Sequence, residues 1–195
     1  MDKNNLQYVQ PEISRSKFVS ELEEFYKIQD IWRSKGVICL KAEFPTAQFV
    51  FLAPSIKPPA VAFAVSIDFT NYDVEPPSIV FINAFSGAPI TRKELGNLQF
   101  IQHKITTINV NGQSLQAQQP QDLLVGQPEE YPFLCLPGVR EYHNHPQHSG
   151  DPWLLHRNAG GEGTLGFLLT KLHEHCIPFI RSYNIQFNVN LQQQF

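Results

Sequence analysis

The feature that most constrains the fold is a change of hydrophobic period at Gly36. Before it, apolar residues recur at spacings of three and four, which predicts one amphipathic helix with a buried stripe made of Phe18, Leu22, Phe25, Ile28 and Trp32. Ser14 or Ser16 is suited to cap the start of this helix, and Lys35 followed by Gly36 is typical of a helix end. The chain therefore has to pack one helical face against whatever follows.

Four strand-like runs follow the helix and are separated by short turns that contain proline. They are rich in branched and aromatic residues and cover 37–44, 48–54, 60–69 and 78–85. Connections this short favour neighbouring antiparallel strands. The sequence thus predicts an α+β fold, in which an N-terminal helix covers an antiparallel four-strand meander.

The second half of the chain is less regular. Residues 103–110 have the composition of a strand, and the Gln-rich stretch 113–130 reads as a surface excursion whose order the sequence leaves open. Residues 161–176 predict a C-terminal helix, because leucines and Cys176 repeat along one face. The tail, 177–195, could add a last strand.

Composition sets limits on domain organisation and partners. We expect a flexible N-terminus at residues 1–13 and a single domain at 14–195, with a Cys/Glu/His segment at 131–157. A net charge of -3 and the absence of a basic run argue against nucleic acid as a partner. Three cysteines and no long apolar segment predict a cytoplasmic protein without a membrane span.

Chemistry is concentrated in the segment 131–157. It holds Cys135, four of the seven histidines and Glu141. If residues 140–145 are extended, side chains alternate between faces, so Glu141, His143 and His145 share one face. Pro146 and the SGDP turn could swing His148 back toward them. Thiol, carboxylate and imidazole groups hold zinc and other divalent transition metals, with Asp151 or His156 as residues that orient a ligand.

The order of elements resembles the ubiquitin-conjugating-enzyme fold. The stretch DFTNYDVEPPSIVF at 68–81 is similar to the tyrosine- and proline-rich turn of that fold, and Cys135 lies roughly where the fold carries its catalytic cysteine. The resemblance covers about residues 14–176. It departs at 81–91, FINAFSGAPIT, where the conjugating enzymes have a His-Pro-Asn element.

The residues after Cys135 resemble a bacterial family of predicted metal-binding proteins with a Cys-Glu-His-His signature. Members of that family are associated with prokaryotic ubiquitin-like modification systems. The resemblance implies that Cys135 and Glu141 match the first two positions. The two histidines would come from His143, His145 and His148, and the sequence leaves open which one is not used.

Three functions follow from these observations. The first is metal binding, with zinc as the default, on a scaffold like that of the conjugating enzymes. The second is catalysis by Cys135, which would accept a ubiquitin-like protein from its activating enzyme as a thioester, with a nearby histidine as base and Asn144 near the oxyanion. The third is a non-catalytic interaction module whose candidate contact residues are Arg140, Trp153 and Arg157.

Overall fold

Four antiparallel strands form the main sheet, in a computed structural model that describes residues 7–110, 113–157 and 161–184. The strands are consecutive in the sheet, in the order β1 (Val37–Glu43), β2 (Thr46–Ala53), β3 (Ala60–Asp68) and β4 (Ser78–Ile82). Each strand pairs with the next one along the chain, and every pair is antiparallel. The predicted meander is confirmed.

The predicted N-terminal helix is two helices rather than one. Helix α1 (Pro11–Lys27) begins ahead of the serines expected to cap it, and its proline suits the first helical turn, where no N–H partner is required. The backbone breaks at Ile28, and α2 (Gln29–Ser34) follows. Ile28 is exposed, so it is not part of the apolar stripe. Of the predicted flexible residues 1–13, residues 1–6 lie outside the described ranges, and the backbone N–H groups of residues 8 and 9 donate to Asn71.

One face of the sheet builds the core. Alternate residues of the central strands point to this face, as the period of two requires, and they pack under α1 and under a helix later in the chain. The most deeply buried aromatic residues of the core are Phe49, Phe51, Phe69, Phe81 and Phe100. The opposite face carries a much smaller apolar cluster around Val50, Ala64 and Ile82.

A long hairpin, made of β5 (Ile101–Val110) and β6 (Gln113–Asp122), extends from this body. The strand predicted at 103–110 is confirmed, and the first part of the Gln-rich stretch is its partner strand. Two short strands, β7 (Leu124–Val125) and β8 (Phe133–Leu134), then pair and lead into the segment that holds Cys135.

Three short elements follow β8: helix α3 (Arg140–Asn144), a 3-10 helix (Pro146–His148) and helix α4 (Trp153–His156). The predicted C-terminal helix is confirmed as α5 (Leu165–Cys176), with its leucine face buried and Thr164 accepting a hydrogen bond from the Phe167 N–H.

A 3-10 helix (Ile177–Phe179) ends the regular structure. The strand predicted for the tail is not seen at residues 180–184, and residues 185–195 lie outside the described ranges. Within the described chain no helix combines the length and the apolar character that crossing a membrane requires.

Candidate functional site

Residues Arg140–Asn144 form helix α3, so the extended conformation on which the shared face depended is not the one these residues adopt. Helix α3 starts after Val139, which is extended, and it ends because His145 precedes Pro146 and adopts ψ 133°. A residue before proline is disfavoured in the helical region, so the proline sets the helix end. The predicted shared face of Glu141, His143 and His145 is therefore absent, since side chains two apart on a helix diverge.

Cys135 and His148 bring a thiol and an imidazole within contact distance of each other. The Cys135 Sγ lies 3.2 Å from the His148 Nε2. Cys135 follows β8, and its backbone N–H donates to the Leu123 carbonyl oxygen at 2.8 Å, which fixes the backbone at this position. His148 ends the 3-10 helix that begins at Pro146. The turn at Pro146 thus places His148 beside Cys135.

Burial governs the protonation of the cysteine. The thiol of Cys135 is half-buried, and desolvation raises its pKa above the ordinary value. At neutral pH the sulfur therefore carries its proton. A thiol in this state needs a base at the moment of reaction, and the His148 imidazole is the group within reach.

Tyr142 covers one face of the His148 imidazole. Its ring stacks on the imidazole with centroids 3.9 Å apart and planes inclined by 24°. The Tyr142 hydroxyl donates to the Asp151 Oδ2 at 2.7 Å, and the Asp151 backbone N–H donates to the His148 carbonyl oxygen at 2.9 Å. The sequence carried no signal for Tyr142 beyond its place among the histidines, because stacking depends on the path of the chain after Pro146.

His143 is held by backbone groups. Its Nε2 accepts from the Gly138 N–H at 3.1 Å, and its Nδ1 donates to the Asp151 carbonyl oxygen at 2.9 Å. Burial lowers the pKa of its imidazole, which keeps the ring neutral. The two ring nitrogens of His143 thus join the turn at Gly138 to the turn at Asp151.

Glu141 and His145 line a separate cavity of about 260 Å³, together with Ser78, Phe133 and Asn144. Glu141 accepts hydrogen bonds from the Ser78 hydroxyl and, at 3.4 Å, from the Ile79 N–H. Burial raises the pKa of its carboxyl group. Glu141 thus connects α3 to β4, on the opposite side of the helix from His143.

His156 lies between two carboxylates. The His156 Nε2 lies 2.6 Å from the Asp151 Oδ1, and its Nδ1 lies 2.5 Å from the Glu162 Oε2. The hydrogen bond with Asp151 is the largest cause of the raised pKa of His156, and the same bond lowers the pKa of Asp151. Asp151 was expected to orient a histidine, and it contacts His143 through its carbonyl group and His156 through its side chain.

The three residues proposed as partner contacts turn inward. Arg140 is buried, and its guanidinium donates to the carbonyl oxygens of Thr70 at 2.5 Å and Pro76 at 3.1 Å. Arg157 makes a bidentate ion pair with Asp73 at 2.8 and 2.9 Å. Trp153 is buried, and its indole N–H donates to the Asp73 carbonyl oxygen at 2.9 Å. These residues fasten the site segment to the loop between β3 and β4.

The five predicted metal ligands fall into three places. Cys135 meets His148, Glu141 lines a cavity with His145, and His143 is held by backbone. In the part of the chain that the structure describes, no group of three or more His, Cys, Asp and Glu side chains is arranged to hold a metal ion. Which four residues would form the ligand set stays a prediction.

Comparison with known proteins gives one consistent result. The model of the Y4jH-like family, described as the Y4jH family, matches residues 9–180. The chain is also 43% identical over 172 residues to a protein of Sinorhizobium fredii (strain NBRC 101917 / NGR234) named "Uncharacterized protein y4jH". That alignment covers 86% of this chain and 83% of the relative. The matched region contains the helices, the meander and the Cys135–His148 pair.

Proposed function

The chain belongs to the Y4jH-like family, and we propose that it carries an acyl group as a thioester on Cys135, with His148 as the base. The observation that supports this most directly is the 3.2 Å separation of the Cys135 Sγ and the His148 Nε2. Nucleophile and base within hydrogen-bond reach, with the base held by a third group, is the arrangement that activates a thiol. Here the third group is Tyr142, stacked on the imidazole.

The reaction that fits this pair is exchange between two thioesters. His148 takes the Cys135 proton as the sulfur attacks the carbonyl carbon of an acyl thioester donor. The carbon–sulfur bond to the donor then breaks, and the departing thiolate receives the proton from His148. One thioester is lost and one is formed, so the step needs neither an oxidant nor an added energy source.

The scaffold suggests the class of donor. A helix followed by a four-strand meander, and a cysteine that precedes a later helix, is the order on which the resemblance to the ubiquitin-conjugating-enzyme fold rests. The turn between β3 and β4, which lies within the stretch 68–81, also supports it, because Arg140 and Arg157 bind this turn and so join it to the site segment. We infer that the donor is a ubiquitin-like protein held as a thioester by its activating enzyme.

Acylation by a small thioester tests the cysteine and its base without the protein donor. The purified protein is incubated with the acetyl thioester of N-acetylcysteamine at neutral pH, and the modified residue is identified by mass spectrometry. We expect one acetyl group on Cys135, none in Cys135→Ser, and a rate about 100-fold lower in His148→Ala, which is typical for loss of a general base.

Cys39→Ser is the matched control. Cys39 is also half-buried, but it lies on β1 next to Tyr26, and this variant should be acylated at the rate of the wild type. Acylation that maps to Cys39, or a rate that His148→Ala leaves unchanged, would contradict the proposal.

A metal site is the second candidate, and the same pair of residues favours it. Cys135 and His148 converge within 3.2 Å, and a thiolate with an imidazole is a common start of a zinc site. As placed, the other three predicted ligands do not converge on this pair, so we derive no metal-dependent step. On the resemblance of the segment after Cys135, we propose zinc, or another divalent transition metal, held by Cys135, Glu141 and two of the three histidines His143, His145 and His148.

Elemental analysis separates the two candidates. Protein purified from zinc-supplemented medium should contain about one zinc ion per chain if the site is closed by four ligands. The ion should be lost in the Glu141→Ala/His145→Ala double variant, and Cys39→Ser should retain it. Wild-type protein that contains no metal under these conditions would remove this candidate and leave the acylation test to decide.

A further inference from the structure

We infer that Tyr142 is a positioning residue, whose ring holds the His148 imidazole in the orientation that places its Nε2 beside the Cys135 sulfur. The inference rests on the proposed acyl transfer at Cys135 and adds a residue to it. Tyr142 is absent from the ligand and catalytic residues that the sequence predicted. It acts through His148, since its contact is with that ring.

The stack restricts the imidazole on one face. With centroids 3.9 Å apart and a tilt of 24°, the Tyr142 ring covers one side of His148. The Cys135 Sγ stands at the edge of the same imidazole, 3.2 Å from Nε2. Rotation of the imidazole about its side-chain bonds would break both contacts at once. Because a displacement of about 1 Å can cost on the order of 100-fold in rate, a ring that fixes this angle affects chemistry directly.

Tyr142 is itself fixed by a chain of hydrogen bonds. Its hydroxyl donates to the Asp151 Oδ2 at 2.7 Å, and the Asp151 Oδ1 lies 2.6 Å from the His156 Nε2. The His156 Nδ1 reaches the Glu162 Oε2 at 2.5 Å, in the segment that leads into α5. This series of hydrogen bonds therefore runs from the stacked ring to the loop before α5 and restrains the ring.

The hydroxyl remains a donor across the working range of pH. Burial, followed by the hydrogen bond to Asp151, raises the pKa of Tyr142 to about 12. The phenol is therefore neutral at neutral pH. Its effect on His148 is one of geometry, and the phenol takes no part in proton transfer.

A double-mutant cycle tests the inference through the acetyl-thioester reaction. We expect Tyr142→Ala to lower the rate of Cys135 acylation about 10-fold. Tyr142→Phe keeps the ring and should restore the rate to within about 3-fold of the wild type. In the His148→Ala background, Tyr142→Ala should cause no further loss, because a residue that acts through another has no effect once that residue is gone.

Three controls make the result specific. Tyr26→Ala removes a half-exposed tyrosine from α1 and should leave the rate unchanged. Circular dichroism and thermal unfolding establish that Tyr142→Ala is folded. If that variant does not fold, the milder Tyr142→Leu, which keeps apolar bulk without an aromatic face, replaces it and is expected to show the same loss.

Two outcomes would overturn the inference. One is a folded Tyr142→Ala protein that is acylated as fast as the wild type while His148→Ala is slow, which would leave the proposed function intact. The other is an equal loss from Tyr142→Ala in the presence and absence of His148, which would assign the tyrosine a general structural role. Loss of His148 dependence itself would instead contradict the proposed function.

Discussion

At the scale of single residues, the surroundings of a side chain in the fold decide its role as much as its residue type does. Four histidines lie between 143 and 156, yet each has a different role in the structure: His148 faces the cysteine, His143 joins two loops, His145 lines a cavity, and His156 is enclosed by carboxylates. Sequence alone identified the group of histidines. Their separation into roles follows from contacts that the fold creates.

Gly138 gives a prediction at this scale. It adopts φ +87°, and a Cβ built there would lie 2.5 Å from the Gly163 nitrogen, in the loop before α5. Gly138→Ala should therefore lower the free energy of unfolding by about 3 kcal/mol, from a left-handed backbone together with a clash. It should also disturb His143, which accepts from the Gly138 N–H. Urea denaturation measures the change.

Gly96→Ala is the control for backbone strain alone. Gly96 adopts φ +73°, and nothing lies within 4 Å of a built Cβ, so this variant should lose only about 1 kcal/mol. Equal losses for the two variants would show that close packing of Gly138 against Gly163 contributes nothing.

At the scale of elements, three short helices form the site, and side-chain bonds hold them together. Each has five residues or fewer, below the length at which a helix is stable on its own. Arg140 and Arg157 fasten them to the turn after β3, and Asp151, His156 and Glu162 connect them to the loop before α5. Removal of a connecting group should therefore loosen several elements together.

His156 makes this connection dependent on pH. Its pKa is raised above 6.5 in the folded protein, mainly by the bond with Asp151, so its contribution is full below 6.5 and is lost as the pH rises through the folded-state pKa. The pKa of Asp151 is lowered below 3.8, so its contribution is present above 3.8 and is lost on acidification. The connection is thus strongest between these two limits.

His156→Gln should lose the most stability in the pH range where the bond between His156 and Asp151 is strongest. We expect its Tm to fall furthest below that of the wild type at about pH 5.5, and the difference to shrink as the pH rises through the folded-state pKa of His156. Thermal unfolding over a series of pH values from about 5.5 upward measures this. A difference that grows with pH would contradict the assignment of a charged His156.

At the scale of the whole molecule, the main core runs from α1 through one face of the sheet to α5, and the site lies at its margin. Helix α3 packs against β4 and β8, so the Cys135 segment rests on the edge of the core. The outer hairpin, β5 and β6, is largely exposed where its side chains are described and adds little to this core. Stability should therefore depend on α5 far more than on exposed loops.

Leu168→Ala tests this dependence. Leu168 is fully buried on α5, and its truncation should cost about 3 kcal/mol through lost burial and a cavity. Phe85, which is 93% exposed in the turn after β4, is the control, and Phe85→Ala should change stability by less than about 0.5 kcal/mol. Urea unfolding followed by the fluorescence of the buried Trp32 and Trp153 measures both. Similar losses at the two positions would contradict a core built on α5.

The sequence by itself determined the elements whose signal is local. The strands β1 to β4 and helix α5 could be predicted because burial on one face imposes a period of two or of 3.6 on the residues themselves. The break at Ile28 and helix α3 could not, since elements this short hold too few residues to show a period, and the end of α3 depends on Pro146.

Only the tertiary structure decided which side chains meet. Cys135 and His148 are 13 residues apart, and their contact depends on the turn at Pro137 and Gly138, on α3 and on the 3-10 helix together. Tyr142 stacks on His148 because those same turns bring the two rings face to face. The distance between two side chains depends on every backbone dihedral angle between them, so the residue types of a site can be read from a sequence while its pairs cannot.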